Sequence, residues 1–290
     1  MASVVSVDTS SQRPVWSNKE KKKVRLVRGV CQLLFFVIAP GLYSAAFGGV
    51  RSIAEQLHSG QLLKLNTFIS LAIVLCLYTI IFGRFFCGYA CAFGSFGDFI
   101  HEVSSKIQKK IRKKVWKMPV SLRRKLQYIK YILLIGILVT CFLGIYSKIG
   151  LYDPWEIFGS FTKLKFAING RYIALVLLGL IVIGMLLEER FFCQFLCPMG
   201  AVFALLPVMP FSVISKLPEE CATGCNACQN ICPASLDLSE NSRKCIHCME
   251  CVSICPKKNA GISWRRFKGN EILFTLIKAA VLFAVCYMWI

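Results

Sequence analysis

Residues 221–255 read CATGCNACQNICPASLDLSENSRKCIHCMECVSIC, and eight of these 35 residues are cysteines in two regular runs. The first run is Cys221, Cys225, Cys228 and Cys232, closed by Pro233. The second is Cys245, Cys248, Cys251 and Cys255, closed by Pro256. Thiolates at this density suit iron–sulfur cubanes, and in paired runs of this kind the last cysteine of each crosses to the other cluster. The second run follows C-x2-C-x2-C-x3-C-P without departure. The first has three residues, Ala222, Thr223 and Gly224, inside its opening pair, and Gly224 lets the longer loop turn sharply. Tetrahedral zinc also accepts C-x2-C pairs. Two runs of four, each ending in Cys-Pro, favour two [4Fe-4S] clusters over zinc.

The rest of the chain is apolar. Of 290 residues 56% are hydrophobic, and mean hydropathy is +0.59, beyond ordinary soluble domains. Lys and Arg number 35 against 15 Asp and Glu, a net +20. That excess alternates with long apolar stretches, so it is read as membrane orientation rather than a nucleic-acid surface. All 16 cysteines could belong to a disulfide scaffold. Their spacing, and a polar stretch 1–18 with no export-signal pattern, argue for metal ligation in a reducing compartment.

A helix crosses a bilayer with about 20 apolar residues. Five stretches approach this: 27–47, 66–83, 127–147, 172–187 and 271–290, the fourth leading through Glu188-Glu189-Arg190 into another apolar run, 191–211. Between the second and third lie Lys106, Lys109, Lys110, Arg112, Lys113, Lys114, Lys117, Arg123, Arg124 and Lys125. The positive-inside rule makes that loop cytoplasmic. Lys19, Lys21, Lys22, Lys23, Arg25 and Arg28 put the N-terminus on the same side. Segments 48–65 and 148–171 then face outward, and 188–270 returns to the cytoplasm. The basic loop has little aromatic interleaving beyond Trp116, which argues against stacking on bases; contact with anionic lipid fits it better.

Positions 84–91 and 190–197 both read Arg-Phe-Phe-Cys-x3-Cys, followed by Gly94 and Gly200. Each copy follows an even-numbered span, an offset of 106 residues, as expected of a pseudo-symmetric membrane core. C-x3-C at one helical turn puts both sulfurs on one face. Cys87, Cys91, Cys193 and Cys197 would then make a four-thiolate site for a further iron–sulfur cluster or metal. Buried thiols are also ordinary packing, the reading taken for Cys31, Cys76, Cys141 and Cys286. Arg84 and Arg190 are either electrostatic support for a thiolate cluster or anchors snorkelling to the interface. Snorkelling is also the expectation for Lys278, a third of the way into the fifth span. Tyr152-Asp153-Pro154-Trp155 reads first as an interfacial aromatic belt with a turn. His58, His101 and His247 are not placed to clamp a haem, and no G-x-G-x-x-G opens a nucleotide site.

R-F-F-C-x3-C-P-x-G at 190–200, followed by the two cysteine runs, resembles the membrane polyferredoxins of the NapH and NosR type, from about residue 25 onward. The first copy departs from that pattern, with Ala92 where a proline is expected after Cys91. The resemblance implies a mainly α, polytopic membrane helix bundle of about five spans with an internal repeat, in the cytoplasmic membrane. To this it joins a cytoplasmic two-cluster bacterial-ferredoxin-like α+β domain. The organisation expected is a basic tail at 1–24, a membrane domain at 25–215, the two-[4Fe-4S] domain at 216–262 and a C-terminal transmembrane helix at 263–290. Only 18 polar residues precede the first basic cluster, so the outward flavin domain of NosR-like members is not expected. The implied function is electron transfer between cytoplasmic [4Fe-4S] clusters and the quinone pool or an outward-facing redox partner, as a quinol-dehydrogenase-like subunit rather than a complete enzyme. Asp153 and Glu156 would suit proton relay near an outward quinone. The implied partners are lipid, redox proteins and quinone, without nucleic acid. An alternative, in which the C-x3-C thiolates hold Cu(I), makes the chain a copper-enzyme assembly factor; a redox-sensing role is a further one.

Overall fold

The computed structural model describes residues 18–60, 64–112, 118–146, 150–162, 172–209, 212–221, 224–234, 236–238, 243–257, 259–262 and 271–288. It is mainly helical. Helix α1 (Asn18–Ile38) and α2 (Leu42–His58) meet at a 66° bend. The bend falls at Pro40-Gly41, where proline restricts the residue before it and removes an amide donor. The expected span 27–47 is therefore two helices, and much of the outward segment 48–65 is helical. Helix α3 (Thr67–Phe82) starts where the Asn66 side chain accepts the Ile69 amide at 2.8 Å, an N-cap that satisfies one free amide. It stops at Gly83, whose φ of 73° and ψ of −171° lie in a region essentially reserved for glycine.

The short α4 (Phe85–Tyr89) and the amphipathic α5 (Ala92–Arg112) follow. Next come α6 (Val120–Leu126), α7 (Ile129–Phe142), α8 (Pro154–Thr162), α9 (Tyr172–Leu187) and α10 (Pro198–Leu205). Among the described residues, Val120–Phe142 is the one helix long and apolar enough to cross a membrane alone, and the bent α1–α2 pair passes together. Helices α3 and α9, at 16 residues each, fall about a turn short of the usual length. These helices leave apolar side chains uncovered: Val37, Ile132, Ile135, Val176 and Leu180 all lie exposed.

The eight-cysteine segment carries α11 (Ala227–Ile231) and α12 (Glu250–Ile254), flanked by an antiparallel pair, β1 (Ile214–Ser215) with β2 (Gly261–Ile262). Helix α13 (Glu271–Tyr287) then packs against α3 and α4. One core holds the aromatic residues Tyr43, Phe47, Phe85, Phe93, Phe192 and Phe203. A smaller one gathers Ile214, Met249, Cys251, Val252 and Ile262 around the strand pair. The basic end of the bundle binds the cysteine segment directly: Gln127 Nε2 donates to Ala234 O at 3.1 Å, and Lys244 Nζ to Gln127 Oε1 at 3.2 Å. Arg123, counted above with the basic loop, is buried and pairs with Glu188 at 2.5 Å. Lys113, Lys114 and Lys117 lie outside the described residues.

Candidate metal centre

The two R-F-F-C copies meet, and they meet reciprocally. A Cβ on Gly94 would lie 3.1 Å from Cys87 O and 3.4 Å from a guanidinium nitrogen of Arg190. A Cβ on Gly200 would lie 3.3 Å from Cys193 O and 3.0 Å from Arg84. Each glycine thus opens room for its own copy's first cysteine and for the other copy's arginine, the pattern of a two-fold exchange. Both second cysteines also play one part. Cys197 Sγ accepts the Gly200 amide at 3.1 Å, and Cys91 likewise receives the Gly94 amide. Ala92 in place of proline therefore leaves the first copy's geometry equivalent to the second.

The mechanism of convergence differs from a single helical face. Cys87 lies in α4, which ends at Tyr89, while Cys91 stands just before α5. Cys193 lies in a π-type turn, Phe192–Leu196, and Cys197 caps α10. A helix break between the paired cysteines, with local π geometry of the sort common at functional sites, turns all four thiols inward. Cys193 stands in the electrostatic field of Cys91, Cys197 and Cys87. Burial pushes the Cys91 thiol up to about 12 and Cys193 well above its ordinary value, so thiolates here need a metal or cationic neighbour.

Neither arginine snorkels. Arg190 is 2% exposed; it forks onto Asp98 at 2.7 and 2.6 Å and donates to the Cys87 and Gly88 carbonyls. Its left-handed backbone, φ 56°, is an uncommon conformation for a side-chain-bearing residue that these contacts hold in place. Asp98 also takes Arg28 at 2.5 Å and Gln32 at 2.7 Å. Burial opposes its ionisation, yet Arg190 and Arg28 hold its carboxyl below the ordinary range. Nearby Glu189 is pushed up to about 7 by burial and by the Asp98 charge. Gln32 and Arg28 lie far from the motifs in sequence, whereas Asp98 follows Gly94 by four residues and is the first acid after the first copy.

The second cysteine run docks on the first R-F-F-C copy. Tyr89 OH donates to His247 O at 3.2 Å. A Cβ on Gly83 would lie 2.5 Å from His247 Nε2, and one on Gly88 would overlap the Ile246 carbonyl. The second copy has Gln194 at the position of Gly88, because only the first copy receives this loop. Lys278 is 1% exposed and turned inward. Its ammonium lies 3.3 Å from Phe82 O, Ser212 O and His247 Nδ1, with the Phe274 ring 4.4 Å away. Local acceptors replace the interfacial water that snorkelling would have sought.

Within the run itself, Cys221, Cys225, Cys228 and Cys255 line one cavity with Pro256. Cys232 instead stands in the field of Cys245, and Cys248 and Cys251 stand in the field of Cys232. The fourth cysteine of each run crosses to the other group. Among the described residues no three His, Cys, Asp or Glu side chains close on a point as one metal ion requires. Zinc, with Zn–S near 2.3 Å, would need its thiols within about 4 Å of one another.

Along one side of α2 a cavity of about 500 Å³ is lined by Gly41, Ser44, Gly48, Arg51, Tyr146 and Glu156, among others. Arg51 reaches Tyr146 at 2.5 Å, Asp153 at 3.5 Å and Glu156 at 3.4 Å. Burial outweighs these partners and pushes the Asp153 carboxyl up to about 6. Trp155 is not in an interfacial belt; it is buried against Phe47, ring centres 5.8 Å apart. Phe47 stacks on Tyr43 at 6.5 Å, and the Tyr43 hydroxyl lies 3.8 Å from Cys197 Sγ. Arg51, which lines the cavity, lies over the Phe47 ring at 5.5 Å, so Phe47 and Tyr43 stand between that arginine and Cys197. Cys141 and Cys286 are buried and Cys31 and Cys76 partly so.

Comparisons with known proteins agree with this chemistry. A family model described as "4Fe-4S binding domain" matches residues 66–114 and 171–210, the two segments that carry the R-F-F-C copies. This is an iron–sulfur protein. An uncharacterized protein of Methanocaldococcus jannaschii is 28% identical over 86% of this chain and 90% of its own. The ferredoxin-type protein NapH of Haemophilus influenzae is 24% identical over 75% of each chain. The regulatory protein NosR of Stutzerimonas stutzeri is 26% identical over 76% of this chain, which spans 31% of that longer protein. No solved structure matches the chain. The chain resembles the NapH/NosR-type polyferredoxins, and the matches support an iron–sulfur electron-transfer protein.

Proposed function

We propose that this chain is a membrane-bound electron-transfer subunit that passes electrons between cytoplasmic clusters and the quinone pool or an outward-facing redox partner. One [4Fe-4S] cluster is assigned to Cys221, Cys225, Cys228 and Cys255, the other to Cys232, Cys245, Cys248 and Cys251. A third iron–sulfur centre is assigned to Cys87, Cys91, Cys193 and Cys197. The bundle at 25–215 and the helix at 263–290 lie in the cytoplasmic membrane with about five spans, and the basic tail at 1–24 and the unit at 216–262 lie in the cytoplasm. A polytopic bundle is supported by the exposed apolar helix faces and by the basic residues gathered at the end where the cysteine runs dock.

The observation that carries the reading is the reciprocal meeting of the two R-F-F-C copies directly beneath the second cysteine run. Packing cysteines need no such exchange of arginines. Bound iron–sulfur groups supply one-electron chemistry; the protein sets their spacing, burial and surrounding charge. The cavity at Arg51, with Phe47 and Tyr43 between that arginine and Cys197, supports an exit on the side away from the runs, where Asp153 and Glu156 suit a carrier that exchanges protons with electrons. The chain is an electron-transfer subunit and needs partner proteins at one or both ends.

Anaerobic purification with iron and sulfide quantitation, and EPR of the reduced protein, tests this. Iron and sulfide beyond two cubanes, lost on Cys87→Ser or Cys193→Ser, are expected. Two cubanes only, unchanged in those variants, would return the membrane-edge thiols to packing and leave a tethered ferredoxin. Copper retained by the four thiols in place of iron would favour the assembly reading.

A further inference from the structure

The two R-F-F-C copies are near-symmetric in backbone and unlike in charge. Arg190 spends its guanidinium on Asp98 and two carbonyls. Arg84, 3% exposed, has no carboxylate within ion-pair distance among the described residues. Among the described residues its one hydrogen bond is to Cys87 Sγ at 3.9 Å, and its buried Nε has no partner there. The cause is one residue. Asp98 lies four positions after Gly94, and the same place after Gly200 is Ala204, buried and uncharged. Burying a guanidinium without a counter-ion is costly, and Lys130 and Lys244 stand in its field. Arg84 also acts on Cys197 and on Cys245 of the second run. An unbalanced positive charge thus lies between the membrane-edge thiols and the neighbouring thiol group, and it points at sulfur.

We propose that Arg84 is the residue that sets the reduction potential of the iron–sulfur centre assigned to Cys87, Cys91, Cys193 and Cys197, by supplying the counter-charge that Ala204 leaves uncancelled. This rests on the ligand assignment above. Gaining an electron makes a thiolate-held centre more negative, and a guanidinium close by in a low-dielectric site favours that state. Arg190 also acts on Cys91 and Cys193, but it is ion-paired with Asp98, which it shares with Arg28, and its other donors position the Cys87–Gly88 backbone. The same symmetric scaffold therefore has one arginine paired with an acid and one without such a partner among the described residues.

The test is EPR-monitored redox titration of the full chain, alongside iron and sulfide content. Arg84→Gln is expected to lower the midpoint of the membrane-edge signal, with Arg84→Lys restoring most of it. Ala204→Asp keeps Arg84 but gives it the acid found in the other copy, and is expected to lower the midpoint in the same direction. Asp98→Asn, which uncovers Arg190, is expected to raise it. An unshifted midpoint in Ala204→Asp with the centre still bound overturns the proposal, whether or not Arg84→Gln folds. Absence of any centre beyond two cubanes in the wild-type protein would instead overturn the ligand assignment on which it stands.

Discussion

Gly83→Ala tests how the membrane motif and the cysteine runs are joined. Two costs add at this position. The backbone sits at φ 73°, ψ −171°, a region in which a side-chain-bearing residue loses about 1–3 kcal/mol. The new methyl would also lie 2.5 Å from His247 Nε2, roughly 0.9 Å inside ordinary van der Waals contact. His247 has little freedom to retreat: it is 1% exposed, Lys278 lies 3.3 Å from Nδ1, and Tyr89 holds its carbonyl. Overpacking of a tight site adds about 1–3 kcal/mol, for a total of about 2–6 kcal/mol. That rivals the whole margin of a typical domain. The expected result is a marked fall in thermal stability in detergent, with the EPR signal of the Cys245–Cys255 side broadened or lost before helix content changes. Gly136→Ala is the control, since nothing lies within 4 Å of a Cβ there; mid-helix it should stabilise by about 0.5–1 kcal/mol. If Gly83→Ala unfolds at the wild-type temperature with unchanged cluster signals, the docking of His247 on this turn is refuted.

Two further outcomes concern buried ionisable groups. Burial raises the Asp153 carboxyl to about 6 from an ordinary 3.8, so its stabilising contribution is full below about 3.8 and is lost as pH rises through 6. Asp153→Asn removes that loss, and its stability relative to wild type should climb between pH 4 and 7 by at most about 3 kcal/mol, read from thermal melts across pH; parallel curves would contradict it. Lys278→Met leaves the carbonyls of Phe82 and Ser212 and the His247 ring without their shared donor. It should cost about 1–3 kcal/mol and speed hydrogen exchange at 245–251; unaltered exchange there would show that Lys278 is not the clamp.

Regular spacing was legible in the sequence, and contact between distant residues was not. Eight cysteines at C-x2-C and C-x3-C intervals announce their chemistry locally, because ligation needs a fixed reach along the chain. The R-F-F-C repeat announced its own symmetry for the same reason. What escaped was the partner each arginine would choose. Arg84 and Arg190 stand in the same local context, and the difference between them rests on Asp98 and Ala204, which are separated from their partners by 92 and 120 residues. Lys278 escaped in the same way: a lone lysine in an apolar stretch reads as snorkelling until Ser212, Phe82 and His247 converge on it from three other segments. The stretch 27–47 is bent for a local reason that was visible, Pro40-Gly41, which hydropathy alone passes over.

That contrast bears on how the chain works. Symmetry is kept where geometry is needed, in the glycines, the capping cysteines and the exchanged arginines. It is broken at three places that face different neighbours. Gly88 stands where the second copy has Gln194, so that the His247 loop can approach; Ala204 stands where an acid like Asp98 would pair with Arg84; and Tyr43 meets Cys197 on the side of Phe47 and Arg51. A symmetric four-thiol site would have no preferred direction. These differences give the four thiols one face toward the cysteine runs and another toward the Arg51 cavity, as the proposed centre between two electron partners would require.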